Sequence, residues 1–515
     1  MNWRKIFKYL LILLAVSTAV FAFLANQNMI QIYGGKTTVV DPTLFKASNE
    51  SVSINNVSVL SPDGSTFIPS RNVLIENGVI ISIDTISQSS NGTKNVDGAG
   101  KFLIPGLIDS HVHLFKSPND LLLYVANGVT EIRELIGEDN HLKWRQEIKD
   151  GRIGPDMYIA SPRLGSFGLI EGWWMNWTQG FNNVRDAKEA ESMVKAYAKQ
   201  GYDAVKVYSY LNKESYEAVN KVAMSEGLDV VGHVPFDLEL ADVLNSNQSD
   251  IAHLEELMNA FRREYGDLKN QEGANNFLAF VEKRSKEIAP TLIANDISVT
   301  TTLWLTKSFV RQKFELQNVL KEVELEYQNP GISEWDEMIP QGLGWLPEVN
   351  RYKMREDLNP EEKTWLRIFW TTYGEACQVI LKSLSENGVK IIAGTDTNLP
   401  PTVPGFSLHD ELATMNAAGM SASQVLQSAT SVPAARQGSN TGKIIAGGKA
   451  NLVLLADNPL EDIANTRSID AVFLHGRMLD RSVLDQILES VKAANNESRK
   501  KDISQFIGDG KPIKN

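Results

Sequence analysis

The sequence predicts an α/β fold, a (β/α)8 TIM barrel with a small β-sandwich domain built from both ends of the chain. Through the middle of the chain, eight short apolar segments typical of strands alternate with segments typical of helices. Such alternation requires parallel strands, and eight of them are enough to close a barrel. A barrel of about 250 residues leaves room for a second domain in a chain of 515 residues.

The predicted barrel strands are short segments that contain apolar runs. They are residues 107–113, 129–135, 157–160, 204–208, 230–233, 251–253, 299–303 and 390–394. Glycines at 128, 201, 227 and 388 stand where the intervening helices would end, as is common for helix termini. A doubly wound open sheet is the alternative, but no glycine-rich phosphate-binding motif follows any of the predicted strands.

Short alternating runs stand near both chain ends, with Asp-Gly and Asn-Gly turns in the N-terminal block, and they predict one small β-domain. Two long connections late in the barrel contain helix-like segments, which suggests insertions that cover an active site, or else an extra subdomain or oligomer contact. The predicted units are residues 1–25 (signal peptide or N-terminal anchor), 26–48 (linker), 49–105 and 438–482 (β-sandwich), 106–437 (barrel), 255–296 and 306–375 (insertions) and 483–515 (C-terminal helix and tail).

The N-terminus has the pattern of an export signal. Arg4, Lys5 and Lys8 precede an apolar stretch at residues 9–25. That stretch is at the lower length limit for a membrane span, so either a cleaved signal or a single uncleaved anchor fits. We expect the rest of the chain to be exported, periplasmic or extracellular, with membrane contact only through this segment.

The net charge of −12 disfavours nucleic acid as a partner, since an acidic surface repels phosphates. The one cysteine, Cys377, excludes an intrachain disulfide and lies in an apolar helical stretch typical of a buried thiol. We expect a small-molecule substrate, and the sequence leaves a homo-oligomer open.

Four of the seven histidines fall at the ends of predicted barrel strands. His111 and His113 are two residues apart in a strand, so both side chains point to the same side. His233 and His253 each end an apolar run. Active sites of these barrels lie at the carboxyl ends of the strands. The histidines are therefore candidate metal ligands.

Lys206 and Asp396 complete the set of candidates. Lys206 stands inside the apolar segment 204–207, where an unpaired charge is costly, so it requires a partner or a modification. Asp396 follows the last predicted strand at the same end of the barrel.

The full pattern resembles the amidohydrolase superfamily, in its branch with two metals and a carbamylated lysine, which includes imidazolonepropionase-like and prolidase-like enzymes. The matching segments are spread over roughly residues 50–480. They are residues 104–113 (IPGLIDSHVH), 128–130, 205–207, the two single histidines, 393–396 (AGTD), 429–434, 442–444 and 457–460.

The resemblance implies a role for each matched residue. His111, His113 and Asp396 would bind the more buried metal, and His233 and His253 the second. Lys206, as a carbamate derived from CO2, would bridge two divalent ions. Zinc is favoured by imidazole and carboxylate ligands.

The implied chemistry is attack by a hydroxide that bridges the metals, with Asp396 as general base and acid. The expected reaction is hydrolysis of a C–N bond other than a peptide bond, in an amide, cyclic amide or peptide-like substrate. An ester, lactone or phosphoester hydrolase of the same fold is the alternative, and a non-catalytic binding protein fits less well because every ligand is retained.

The substrate loops depart from the relatives. A Gly-Gly-His stretch that prolidase-like members often carry is absent, and the residues around His233 read Gly-His-Val-Pro instead of Ala-His-Ala. Both departures put a prolidase-like activity in doubt. Candidate substrate contacts are Tyr208, on the same side of its strand as Lys206, then Arg163 for a carboxylate, and Trp173 and Trp174 for an apolar wall.

Overall fold

The structure is a computed structural model that describes residues 3–45, 50–86, 92–266, 268, 270–335 and 343–508. Parts of the predicted linker, β-domain, insertions and C-terminal tail lie outside the described residues. They are residues 46–49, 87–91, 267, 269, 336–342 and 509–515.

The strands fall into a terminal group and a central group. They are β1 (Val52–Leu60), β2 (Phe67–Glu76), β3 (Val79–Asp84), β4 (Lys94–Asp97), β5 (Phe102–Pro105), β6 (Leu107–Val112), β7 (Val129–Glu134), β8 (Asp156–Ile159), β9 (Leu164–Gly165), β10 (Asn182–Asn183), β11 (Ala204–Val207), β12 (Asp229–Gly232), β13 (Gln248–Ala252), β14 (Ser298–Thr300), β15 (Ile391–Ile392), β16 (Leu452–Leu455), β17 (Ile469–Leu474) and β18 (Arg477–Asp480).

The helices mostly alternate with the central strands. They are α1 (Trp3–Ile32), α2 (Asp120–Ala126), α3 (Asp139–Lys149), α4 (Leu169–Gln179), α5 (Ala187–Gln200), α6 (Lys213–Glu226), α7 (Leu240–Leu244), α8 (Leu254–Tyr265), α9 (Gln271–Ala294), α10 (Leu303–Lys321), α11 (Pro330–Ser333), α12 (Pro360–Glu386), α13 (Phe406–Ala417), α14 (Ala422–Ser428), α15 (Ser431–Gln437) and α16 (Arg481–Ser498).

The central strands pair in parallel as two sheets, β6-β7-β8 and β10-β9-β11-β12-β13-β14-β15. The sheets are linked on one side by a parallel bridge between Ala160 and Ala204. On the other side Ser110 N donates to Ala393 O at 3.0 Å, and Asp396 N donates to His111 O at 2.8 Å. The result is a TIM-barrel-like α/β domain in which all eight predicted strands have counterparts. Leu303, predicted as strand, instead begins α10.

The terminal strands form one eight-stranded sheet in the order β18-β17-β16-β5-β1-β2-β3, with β4 beside β1. Strand β16, from the C-terminal part, pairs with β5, from the N-terminal part. The buried side chains of Ile54, Leu452 and Phe473 belong to its separate core. A sheet made from both chain ends is thus present, and its form as a sandwich stays a prediction.

The segment predicted as a linker is largely structured. Residues 26–32 continue α1, because Ala25, Met29 and Ile32, spaced like one helical face, are buried against the domain. Beyond the helix, Thr37 Oγ1 donates to Asn329 Oδ1 at 2.6 Å, and Val40 N donates to Asn119 Oδ1 at 2.9 Å. No local pattern predicts these partners, which are distant in the chain.

A buried ion pair crosses the inside of the central domain. Arg133 on β7 is 2% exposed and forms an ion pair with Asp250 on β13. The same guanidinium donates to Ser110 O on β6 at 2.7 Å and to Thr300 Oγ1 on β14 at 2.9 Å. Arg133 therefore connects strands of both parallel sheets directly below the site described next.

We predict that Asp250→Ala lowers the free energy of unfolding by about 3–5 kcal/mol, because it leaves a buried guanidinium without its counter-charge. Chemical denaturation measures the change. The matched control is Asp357→Ala, which removes an exposed ion pair with Arg355 and should leave stability unchanged. Equal, small effects of both substitutions would contradict a structural role for the buried pair.

Candidate metal centre

The six predicted ligand residues meet at the carboxyl ends of the central strands. His111 is the second-last residue of β6, and His113 directly follows that strand. His233 follows β12, and His253 follows β13. The remaining two are Lys206, within β11, and Asp396, shortly after β15. All six side chains are buried.

Three ligand atoms converge on one point. His113 Nε2 lies 2.8 Å from Asp396 Oδ1, and His111 Nε2 lies 3.5 Å from the same oxygen. The two Nε2 atoms are 3.3 Å apart. Convergence of two imidazole nitrogens and one carboxylate oxygen is a set of ligands that suits zinc and other divalent transition metals.

The other two histidines, His233 and His253, lie beside these three ligand atoms. The His253 ring centroid is 4.3 Å from that of His111 and 5.1 Å from that of His233. His233 Nδ1 lies 2.9 Å from Ser209 Oγ and 3.0 Å from Glu256 Oε1. His253 Nδ1 lies 3.0 Å from Thr302 Oγ1. Because both Nδ1 atoms have protein partners, both Nε2 atoms are left for another ligand.

Lys206 lies in the same cluster with its amine unpaired. Among the residues that the structure describes, Lys206 Nζ has no hydrogen-bond partner although the side chain is 1% exposed. Burial lowers the pKa of Lys206 to about 8. A buried amine without a partner is costly, which marks this nitrogen as chemically unusual within the cluster.

Burial and neighbouring charges give His111 and Asp396 different protonation states. Burial, with the neighbouring His253 and Lys206, holds the pKa of His111 well below its usual value, so its imidazole is neutral and has a lone pair to offer. Burial opposes ionisation of Asp396, but its basic neighbours His253 and His113 outweigh burial and hold its pKa below the usual value. The carboxylate is therefore ionised at neutral pH.

The backbone around the ligands is shaped to bring them together. A Cβ at Gly394 would lie 2.7 Å from His111 Cβ, so only glycine lets the chain before Asp396 approach β6 this closely. His253 has φ 100° and Asp396 has φ 58°, conformations that non-glycine residues rarely adopt. Strain of this kind is concentrated at functional sites.

Two buried acids outside the ligand set hold the ends of β6. Asp109 Oδ1 accepts from His111 N at 3.3 Å and from Thr395 N at 3.1 Å. Glu134 accepts from Leu114 N at 2.6 Å. These contacts tie the His111–His113 segment to its neighbours on both sides. Sequence reasoning missed both acids, since only their position near the histidines could have suggested them.

The cluster opens into a cavity of about 160 Å³. Five of the six predicted ligands line it, His111 being the exception, and Arg163 and Tyr208 line it too. Arg163 stacks over Phe181 and Tyr208, donates to Gln179 O, and keeps an Nε without a hydrogen-bond partner in the described part of the chain.

The structure places Trp173 and Trp174 away from this cavity. They are 65% and 40% exposed on α4 and pack against Trp177. They do not form the apolar wall that the sequence suggested, because their helix turns them outward.

Other cavity residues were not anticipated from the sequence. Tyr33 lies in the segment predicted as a linker, and Glu255, Phe309, Arg351 and Tyr352 lie in the predicted insertions. The spacing of these residues in the sequence does not indicate that they line the cavity, because each reaches it only through the packing of a distant segment.

The comparisons with known proteins agree with the sequence motifs. The amidohydrolase family model matches residues 372–479. A stretch of 42 residues is 45% identical to a dihydroorotase from Trichlorobacter lovleyi and covers 8% of this chain and 10% of that protein. Another stretch of 63 residues is 30% identical to an L-hydantoinase from Paenarthrobacter aurescens, over 12% of this chain and 13% of that protein. The matches thus span a small part of these curated relatives.

Among solved structures, a bottromycin amidohydrolase superposes with a TM-score of 0.62 at 21% sequence identity. The superposition covers 86% of this chain and 90% of that chain. At this identity the likeness concerns the fold. The family match and the shared fold together confirm the resemblance to the amidohydrolase superfamily.

We predict that Glu256→Gln weakens zinc binding by about 10–100-fold, because Glu256 orients His233 through its Nδ1. Titration against a chromophoric chelator measures the affinity. Glu264→Gln, which alters a carboxylate on the outer face of α8, serves as the control and should bind zinc as the unaltered protein does. Unchanged affinity in Glu256→Gln would show that this carboxylate does not support a ligand.

Proposed function

This chain resembles the amidohydrolase superfamily in sequence and in fold, and from that premise we propose that it is a metal-dependent hydrolase of C–N bonds. The observation that carries the proposal is the meeting of four histidines, one aspartate and one unpaired lysine at the carboxyl ends of the strands. The family match and the relatives that are a dihydroorotase and a hydantoinase support this reaction class.

We assign two divalent ions, with zinc preferred, to the cluster. His111, His113 and Asp396 would hold one ion, since their ligand atoms lie within 4.8 Å of one another. His233 and His253, whose Nδ1 atoms are occupied by protein partners, would hold the other. Bound divalent metals supply Lewis acidity toward the substrate carbonyl and a nucleophile at neutral pH.

Lys206 is the proposed bridge. Its neutral amine would add to CO2 and lose one proton, which gives an N-carboxylate in place of a buried cation. Burial favours the neutral form of this amine, as its lowered pKa shows. The modification would replace a buried cation with a carboxylate, whose negative charge two bound cations would offset.

Asp396 is the proposed proton carrier. Its ionised carboxylate has Oδ1 beside His113 and Oδ2 4.0 Å from His253, and it faces the cavity. An ionised carboxylate can accept a proton from the attacking water and pass it to the leaving nitrogen as the C–N bond breaks. His111 and His113 hold this carboxylate in place.

The cavity favours a small substrate with an anionic group. Arg163 and Arg351 both line it, and Arg163 keeps an unused Nε donor. Guanidinium groups bind planar carboxylates through paired hydrogen bonds. An N-acyl amino acid or another small amide with a carboxylate fits these features, and Tyr208 flanks the same space.

We predict that Asp396→Asn lowers kcat by on the order of 10²–10⁴-fold, because an amide cannot take up the proton. The assay is a panel of N-acyl amino acids, dipeptides, cyclic ureides and lactones with zinc-loaded protein, and circular dichroism checks the fold. Asp357→Asn, at an exposed site, is the matched control. Full activity in metal-free protein, or in Asp396→Asn, would overturn the mechanism.

We predict that protein equilibrated with ¹³C-bicarbonate shows a carbamate carbon signal by NMR, and that Lys206→Ala abolishes it. The same substitution should remove one of the two metal ions, and short carboxylates should restore part of the activity by replacing the bridge. Lys199→Ala, on α5, is the control and should keep the signal. A fully active Lys206→Ala variant with both ions would rule out the bridging role.

A further inference from the structure

Helix α4 presents an unusual apolar surface. Leu169, Ile170, Trp173 and Trp174 are 72%, 86%, 65% and 40% exposed. The helix has a single charged residue, Glu171. In an acidic chain with a large core of its own, exposed aliphatic and indole side chains grouped on one short helix mark a surface that contacts something apolar.

This surface is continuous with the docked end of α1. Met29 and Ile32 of α1 are buried together with the partly buried Trp177 of α4. The Trp177 ring centroid is 5.9 Å from that of Trp173 and 5.5 Å from that of Trp174. Just beyond α1, Tyr33 Oη donates to Thr178 O of α4 at 2.8 Å. The two helices are therefore fixed against each other at the surface of the domain.

The free part of α1 has the length of a membrane span. Of the described helices, α1 is the one that length and composition allow to cross a membrane. Its first buried residue is Ala25, so residues 3–24 extend clear of the domain. At about 1.5 Å per residue they measure about 33 Å, close to the hydrocarbon thickness of a bilayer. Arg4, Lys5 and Lys8 favour the cytoplasmic side for the N-terminus.

We propose that α1 is retained as an anchor and that the exposed face of α4 lies in the outer interface of the same bilayer. Tryptophan and aliphatic side chains on a short helix with few charges are suited to the headgroup region, where indole rings have both an apolar and a polar environment. The contact between α1 and α4 explains why this face, and not another, is apolar: it lies next to the point where the anchor leaves the domain.

The cavity then opens beside the membrane. Tyr33 directly follows α1, Gln179 ends α4, and both line the cavity that holds the candidate metal centre. A residue at or just beyond the end of each membrane-contacting helix thus lines the cavity. Molecules that partition into the outer interface would reach the cavity without leaving the bilayer surface.

The test uses the full chain in nanodiscs of phosphatidylcholine and phosphatidylglycerol. The one native thiol, Cys377, is buried, so an environment-sensitive fluorophore attaches to a single introduced cysteine. Reporters are placed by Ile170→Cys on α4, by Leu13→Cys on α1 as the inserted reference, and by Met224→Cys on α6 as an exposed reference. Phosphatidylcholine with a doxyl group at a shallow acyl position quenches reporters in the interface. Phosphatidylcholine with a doxyl group near the end of the acyl chain quenches reporters at the bilayer centre, where Leu13→Cys would lie.

We expect quenching of the Ile170→Cys reporter to be several-fold stronger than that of the Met224→Cys reporter. If the Leu13→Cys reporter is quenched but the Ile170→Cys reporter is quenched no more than the Met224→Cys reporter, α4 does not contact the bilayer interface. If the Ile170→Cys fluorophore is not quenched by doxyl lipid but reports an apolar environment only in nanodiscs that hold two copies of the chain, the exposed face of α4 contacts a second copy instead. Absence of quenching at Leu13→Cys would remove the anchor and the proposal with it. None of these outcomes depends on the catalytic activity.

Discussion

The candidate site depends on the buried amine of Lys206, which has no hydrogen-bond partner within the described part of the chain. Lys206 points into the cluster of ligands from β11, above a second buried cation, Arg133, which Asp250 already neutralises. A protein interior does not keep an isolated ammonium group at low cost. Burial lowers the pKa of Lys206 and of His111, whereas His253 and His113 hold the pKa of Asp396 below its usual value despite burial.

The arrangement depends on strand geometry more than on any loop. The ligands follow the carboxyl ends of parallel strands, so each is held by a hydrogen-bonded ladder and not by a flexible connection. The backbone at Gly394 approaches His111 closely, and the strained backbone at His253 and Asp396 directs these two side chains into the cluster. The fold supplies a rigid frame, and the proposed ions and CO2 would supply the charge balance that the bare side chains lack.

The sequence predicted the parallel strands and the residues at their ends, because two-residue periodicity and apolar runs are local signals. His111 and His113 illustrate this, since their shared side follows from spacing alone. Glu256, Arg351 and Tyr33 could not be predicted, because each reaches the site through packing between distant segments. Met29 and Ile32 lie in the segment predicted as a linker, although their spacing is that of one helical face. The outward turn of Trp173 and Trp174 depends on how α4 docks against α1, which no local pattern specifies.

The central claim is that these six side chains form a two-metal centre bridged by a modified lysine. A crystal structure of the zinc-loaded protein, with diffraction data collected on both sides of the zinc absorption edge, tests it most directly. We expect two anomalous peaks, one beside His111, His113 and Asp396 and one beside His233 and His253, with extra density continuous with Lys206 Nζ between them. A single peak remote from Lys206, or an unmodified amine between two ions, would contradict it.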